Sequence, residues 1–185
     1  MPFDLDRFLA DCSDAAEAGH PRALREVVAR AVADPAALVA RLGEPQRAGV
    51  QKLLHRPGLT VLNLAWGPGM TIMPHNHRME AVIGIFSGRE DNIFWRRIET
   101  EDGPRIEAAG AKSLGARDCM PMGRDIIHSV TNPLGRLTGA IHVYLGDFFA
   151  AERSEWEPET LTEQPYDVVK NVGLFEAANR RLAQA

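Results

Sequence analysis

Apolar residues recur along this chain at two different spacings, and the change of spacing divides it. Early on they fall at helical intervals: Leu5, Phe8, Leu9, Cys12 and Ala16, then Leu24, Val27, Val28 and Ala31 after Pro21. Asp34 and Pro35 form an N-cap and first-turn pair, and Gly43 is a stop. Two or three short amphipathic helices are therefore expected over residues 1–45. From about residue 57 the texture becomes strand-like. Strands are expected at Thr60–Trp66, Thr71–His77, Ala81–Ser87, Asn92–Ile98, Arg105–Ala109, Ile126–Thr131 and Leu137–Leu145. Turns separate them, including Gly67–Gly69, Ser87–Asp91 and Glu101–Pro104. Many short strands at this spacing predict a mainly β sandwich or barrel. Leu174 to Leu182 reads as a terminal helix. The expected organisation is one domain over 1–185: a helical segment (1–45), a β core (57–149) and a C-terminal extension (150–185).

Composition narrows the classes. A net charge of −4 with no basic block argues against binding nucleic acid through its phosphates. The first residues lack a cationic start and an apolar core, so no signal peptide is expected, and no apolar run is long enough to span a bilayer. Cys12 and Cys119 stand at no metal-like spacing, which points away from a disulfide framework and toward a reducing cytoplasm. Both read as small buried hydrophobes. Nothing in the sequence assigns an oligomeric state.

The candidate chemistry lies in three histidines. His75 and His77 are two residues apart, so on a strand both imidazoles face one side. His128, with Asn132 four residues on, follows a Pro121-x-Gly123 turn. Three imidazoles on one ion leave positions open for substrate, the layout of a catalytic site and not of a closed structural one. The stretches G-x5-H-x-H (Gly69 to His77) and P-x-G…H-x3-N (Pro121 to Asn132) resemble the two signature motifs of the cupin superfamily. That resemblance implies a double-stranded β-helix (jelly-roll) barrel, with the N-terminal helices and C-terminal helix packed around it.

Many cupins add a glutamate after the second histidine, but Ala81 and Val82 occupy those positions, and Glu80 is expected to face the other way as a rim charge. A divalent ion on three neutral imidazoles keeps its full charge and favours an anionic ligand such as thiolate. Zinc-hydroxide chemistry uses three histidines as well, so the set leaves the metal open. His142 and Tyr144 again share a strand face; they either line the pocket as hydrogen-bond donor and proton relay or are ordinary core residues. Arg89, Glu90 and Asp91 read as a solvated turn, Trp66 and Trp95 as core or barrel-wall aromatics, and His20 and His55 lack partners at ligand spacing.

Residues 56–149, through Trp66 to His77, Gly84 to Gly88, His128 and His142-x-Tyr144, resemble the cysteine dioxygenase (thiol dioxygenase) family of cupins. The resemblance implies one mononuclear iron(II) on His75, His77 and His128. It implies dioxygen insertion into a small thiol, of the cysteine or 3-mercaptopropionate type, to give a sulfinate. It also implies a serine-histidine-tyrosine relay at Ala140, His142 and Tyr144, in which alanine replaces the serine, and a carboxylate-binding arginine whose nearest match is Arg56. Val82 stands where animal members carry a cysteine cross-linked to the tyrosine. Arg56 is alternatively a solvated residue at a helix-to-strand junction. The alternative functions are a cupin holding another divalent metal as isomerase or hydrolase, and a non-catalytic cupin that binds a small ligand.

Overall fold

A computed structural model describes residues 2–19 and 21–184. Three helices lead: α1 (Leu5–Glu17), α2 (Pro21–Val32) and α3 (Pro35–Leu42). Asp4 and Asp34 cap α1 and α3 by accepting from the backbone N–H of Arg7 (3.0 Å) and Ala37 (3.1 Å). Eleven strands follow, β1 (Gly49–Arg56), β2 (Leu59–Trp66), β3 (Thr71–Asn76), β4 (Ala81–Ser87), β5 (Arg89–Thr100), β6 (Gly103–Gly115), β7 (Cys119–Met122), β8 (Ile127–Thr131), β9 (Thr138–Tyr144), β10 (Ser154–Trp156) and β11 (Glu163–Pro165), and then α4 (Val168–Leu182). They form two antiparallel sheets, β1-β2-β9-β4-β7 and β11-β10-β3-β8-β5-β6. This is the expected double-stranded β-helix.

The first sheet is covered on both faces. Its inner face, with Leu62, Leu64, Ile83 and Ile85, packs against Ile72 and Val130 of the second sheet. Its outer face, with Val61, Val82, Phe86, Ile141 and Val143, packs on Phe8, Leu24, Val28 and Leu38 of the helices. Hence β9 is buried at every position and β4 at all but its last, which explains the unbroken apolar run Ala81–Phe86 of β4 and why the polar groups of β9, on Thr138, His142 and Tyr144, are all interior. Gly84 is required here, because a Cβ would sit 2.7 Å from Val28 Cγ1 of α2.

Four strands escape the apolar pattern. β1 is an edge strand with no buried residue and a bulge between Lys52 and Leu54. β7 carries Pro121, tolerated because it too lies at an edge. β10 and β11 have three residues each. β5 begins at Arg89, so the Ser87–Asp91 turn shrinks to a corner at Gly88, whose φ of 79° is the left-handed conformation. The terminal helix starts at Val168, six residues ahead of the expected Leu174, under an Asp167 cap.

Candidate metal centre and its cavity

A phase shift in β3 builds the histidine cluster. Ile72 faces the barrel interior, and strict alternation would send His75 outward. The register of β3 against β8 shifts between Ile72 and His75, so His75 and His77 turn inward too. His75 pairs directly across from His128. Among the described residues, His75, His77 and His128 form a group whose ligand atoms all lie within 4.8 Å of one another, able to hold a metal ion. All three are buried.

The donor set fits a divalent ion. His75 Nδ1–H donates to the Met73 carbonyl (2.9 Å), which leaves Nε2 with a lone pair. His128 Nδ1 lies 2.7 Å from Asn92 Oδ1. Nε2 of His128 and Nε2 of His77 are 3.4 Å apart. Two nitrogens bound at about 2.1 Å with a tetrahedral angle sit about 3.4 Å apart, so the spacing suits a shared cation. Burial pushes the His75 imidazole down to about 4 and holds His77 and His128 well below their ordinary range. Neutral imidazole is the form that ligates.

The same burial makes a stability signature. Unfolded histidine titrates near 6.5, so the unfolded chain binds the extra proton first as pH falls. Stability is fully present above about 6.5 and is lost on acidification toward the folded value of about 4. For His75 alone, the loss between pH 7.5 and pH 5 is on the order of 2 kcal/mol. Urea denaturation of chelator-treated protein at these two pH values should show at least that drop. Equal stability at both would mean that the imidazoles are not held neutral.

The cluster opens into a cavity of about 190 Å³. Its barrel walls are Leu62, Leu64, Trp66, Ile72 and Val130, and across from the cluster stand His142 and Tyr144 of β9. The Tyr144 hydroxyl lies 3.0 Å from His142 Nδ1, and its ring meets His77 edge-on at 5.0 Å. Burial pushes the Tyr144 phenol up, so it stays protonated. Val82 faces the helices and Tyr144 faces the interior, so a side chain at 82 points away from the tyrosine.

Phe148 and the C-terminal extension, through Arg153, Tyr166, Asn171 and Phe175, line the mouth and narrow it. Buried Glu155 ties the extension down, accepting from Lys170 (2.5 Å), Asn171 (2.8 Å) and Gln164 (3.0 Å). Burial opposes ionisation of Glu155, but these donors hold it below its usual range. Arg153 lies between the rings of Phe148 and Tyr166, 4.1 and 4.3 Å from their centroids. Its Nε has no hydrogen-bond partner, and among the described residues no carboxylate pairs with it. Burial pushes its guanidinium below the ordinary range.

Two expectations are corrected. Arg56 is not at the cavity: it ends β1 and pairs with Glu17 of α1 at 3.2 Å, the helix-to-strand alternative. The cation at the cavity is Arg153, for which the sequence carries no local signal. Glu90 is not a solvated turn residue. It lies on the inward face of β5, fully buried, and accepts from Trp66 Nε1 (2.9 Å) and Asn92 Nδ2 (3.0 Å). Its neighbours Arg89 and Asp91 do face out, as an ion pair at 2.7 Å. The inward i, i+2 pair Glu90 and Asn92 is a faint signal, hidden by the Gly88 corner.

The remaining residues have plain roles. Asn132 does not reach the cluster: its amide donates to the carbonyls of Gly67 (3.0 Å) and Arg136 (2.8 Å), clasping two loops. Glu80 is half-buried away from the cavity, and Trp95 donates to Ser129 (3.1 Å) in the wall. His55 pairs with Asp147 at 2.8 Å, and His20 lies outside the described residues. Cys12 is buried and Cys119 half-buried, both free, their thiols pushed up by burial to about 12 and about 11. No described helix is long and apolar enough to cross a membrane.

No protein-family model matches the chain. Among solved structures it is similar to a double-stranded beta-helix protein from Klebsiella pneumoniae (14% identity, 60% of this chain, 81% of that one, TM-score 0.45). It is also similar to the DMSP lyase DddQ from Ruegeria pomeroyi (18%, 61%, 53%, 0.47). A third is oxalate decarboxylase from Bacillus subtilis (18%, 54%, 24%, 0.40). At that level of similarity nothing about ligand or reaction transfers, and the chemistry of this chain is read from its own side chains: a jelly roll carrying a buried three-histidine cluster that can bind a metal ion.

Proposed function

We propose that this chain is a mononuclear non-haem iron(II) dioxygenase that oxidises a small carboxylated thiol, of the cysteine or 3-mercaptopropionate type, to its sulfinate. One observation carries the reading. Three neutral imidazoles converge, without a carboxylate, on a largely apolar, partly enclosed cavity that also holds a tyrosine–histidine pair and an arginine without an anion. An iron(II) ion on His75, His77 and His128 would supply dioxygen activation and open positions for thiolate. With no carboxylate in the set, the negative charge must come from the substrate.

The rest is done by the chain. Arg153 is the partner for the substrate carboxylate, since a cation in an apolar cavity is stabilised when an anion arrives. The flanking rings of Phe148 and Tyr166 hold the guanidinium plane, which limits the poses in which a carboxylate can be gripped. Tyr144 keeps its proton; without substrate the hydroxyl donates it to His142 Nδ1 at 3.0 Å, and with a thiol bound it would turn that proton to the reacting sulfur group. Phe148, Arg153 and Tyr166 narrow the mouth and limit the water that reaches the cluster. The overall change adds both atoms of dioxygen to sulfur and releases the thiol proton.

The deciding experiment loads the protein with iron(II) and offers cysteine, 3-mercaptopropionate and cysteamine under labelled dioxygen. Oxygen uptake matched by a sulfinate carrying both labelled atoms is the expected outcome. Stoichiometric iron with no uptake above the metal-free control for any thiol would overturn the dioxygenase reading in favour of another metal chemistry or simple ligand binding.

A further inference from the structure

Glu90 takes no part in the reading above, yet it touches both halves of the site. We propose that Glu90 is a positioning residue that fixes the proton positions of His142 and His128 from a single buried point, supplying the orienting group that Ala140 cannot. The value of this to catalysis rests on the proposed function; the geometry does not.

The first branch runs to the metal ligand. The Trp66 indole can only donate, so the Glu90 oxygen at 2.9 Å must accept. The other oxygen accepts from Asn92 Nδ2 at 3.0 Å. That contact settles which way the Asn92 amide points, and its Oδ1 is left facing His128 Nδ1 at 2.7 Å. His128 must therefore carry its proton on Nδ1, and its Nε2 lone pair is turned toward His77 and the ion position.

The second branch runs to the tyrosine. His142 Nε2 is buried, has no hydrogen-bond partner, and lies 3.4 Å from the Glu90 oxygen that Trp66 holds. A lone pair at Nε2 would face a carboxylate oxygen, which is repulsive; an N–H there is attracted to that oxygen by charge, without the alignment of a full hydrogen bond. With the proton on Nε2, Nδ1 is the acceptor for the Tyr144 hydroxyl at 3.0 Å. The hydroxyl is then oriented by a carboxylate two residues removed along the hydrogen-bond path. A neutral amide at position 90 cannot accept from both Trp66 Nε1 and Asn92 Nδ2, because one of its two ends donates.

The test reads the proton positions directly. Long-range proton–nitrogen NMR of metal-free, histidine-labelled full-length protein, assigned with His128→Gln and His142→Gln, should show Nδ1–H on His128 and Nε2–H on His142. The opposite tautomer at either residue in the unsubstituted protein overturns the proposal, and this measurement needs no variant to fold. In Glu90→Gln, zinc affinity measured by chelator competition should fall about 10- to 100-fold. His142 should also shift toward Nδ1–H. Unchanged tautomers with zinc affinity within about twofold would overturn it as well. None of these readouts uses a thiol or dioxygen, so failure of the dioxygenase reading remains separable from failure of this one.

Discussion

Alanine in place of His75, His77 or His128 is expected to weaken iron(II) or zinc binding by at least ~100-fold and to abolish turnover. Structural zinc sites with four ligands bind with about 10–16 kcal/mol, roughly 3 kcal/mol for each ligand. Losing one of three ligands is therefore worth at least about two orders of magnitude. The three variants differ in side effects. His128→Ala strands the Asn92 carbonyl oxygen, and His75→Ala frees the Met73 carbonyl, each at some cost to the fold. Among the described residues the His77 side chain has a hydrogen-bond contact only with His128 Nε2, so His77→Ala is the cleanest probe. His55→Ala is the matched control, since that histidine pairs with Asp147 outside the cluster and should leave metal content intact. Metal analysis of the purified variants decides the matter, and full occupancy in all three single variants would refute the ligand assignment.

Arg153→Met is expected to lower kcat/KM for carboxylated thiols by about 30-fold or more while leaving turnover of cysteamine unchanged. Truncating one partner of a buried, hydrogen-bonded charge pair costs about 2–5 kcal/mol, and the lower end of that range corresponds to ~30-fold. Methionine keeps a stem of similar length between Phe148 and Tyr166, so the rings retain packing while the charge is removed. Without substrate, a half-buried cation lacking an anion opposes folding, and its removal should leave the melting temperature equal or higher. A residue that lowers stability and raises selectivity marks a binding site. Steady-state kinetics with 3-mercaptopropionate and cysteamine, beside a thermal melt, tests both halves. Unaltered selectivity in Arg153→Met would remove the residue from substrate binding. Arg56→Ala should not alter selectivity, because Arg56 is engaged with Glu17 away from the cavity.

How far the sequence could be read followed from the range of each signal. Central strands such as β4 and β9 stand out because both their faces are buried. The helices stand out through their caps and apolar periodicity, as at Asp34-Pro35. Edge strands are silent for two reasons: no residue of β1 is buried, so it needs no apolar face, and β7 has only four residues with Pro121 among them. The His75, His77 and His128 group was legible because two of its members share one strand segment and the third sits in its own motif. Even so, the reason His75 faces inward is the shift in β3 against β8, a property of pairing that alternation along one strand does not contain.

The amino-acid sequence by itself determined the mainly β architecture, the flanking helices, the three-histidine set and the His142–Tyr144 pair, all of which depend on spacings within one element or on short motifs. Only the tertiary structure decided which charges lie at the cavity, which are buried behind its wall and which stay outside. Arg56 precedes the histidine strands in sequence, yet the β1 edge carries it to α1. Arg153 sits in the segment between β9 and β10 with no motif around it, yet the fold seats it between two rings at the mouth. Glu90 looks like part of a charged turn, and the corner at Gly88 starts a strand that turns it inward while Arg89 and Asp91 stay in solvent. In each case the side chain's environment is set by backbone segments distant in sequence. A buried charge is defined by what surrounds it, and local composition does not carry that information.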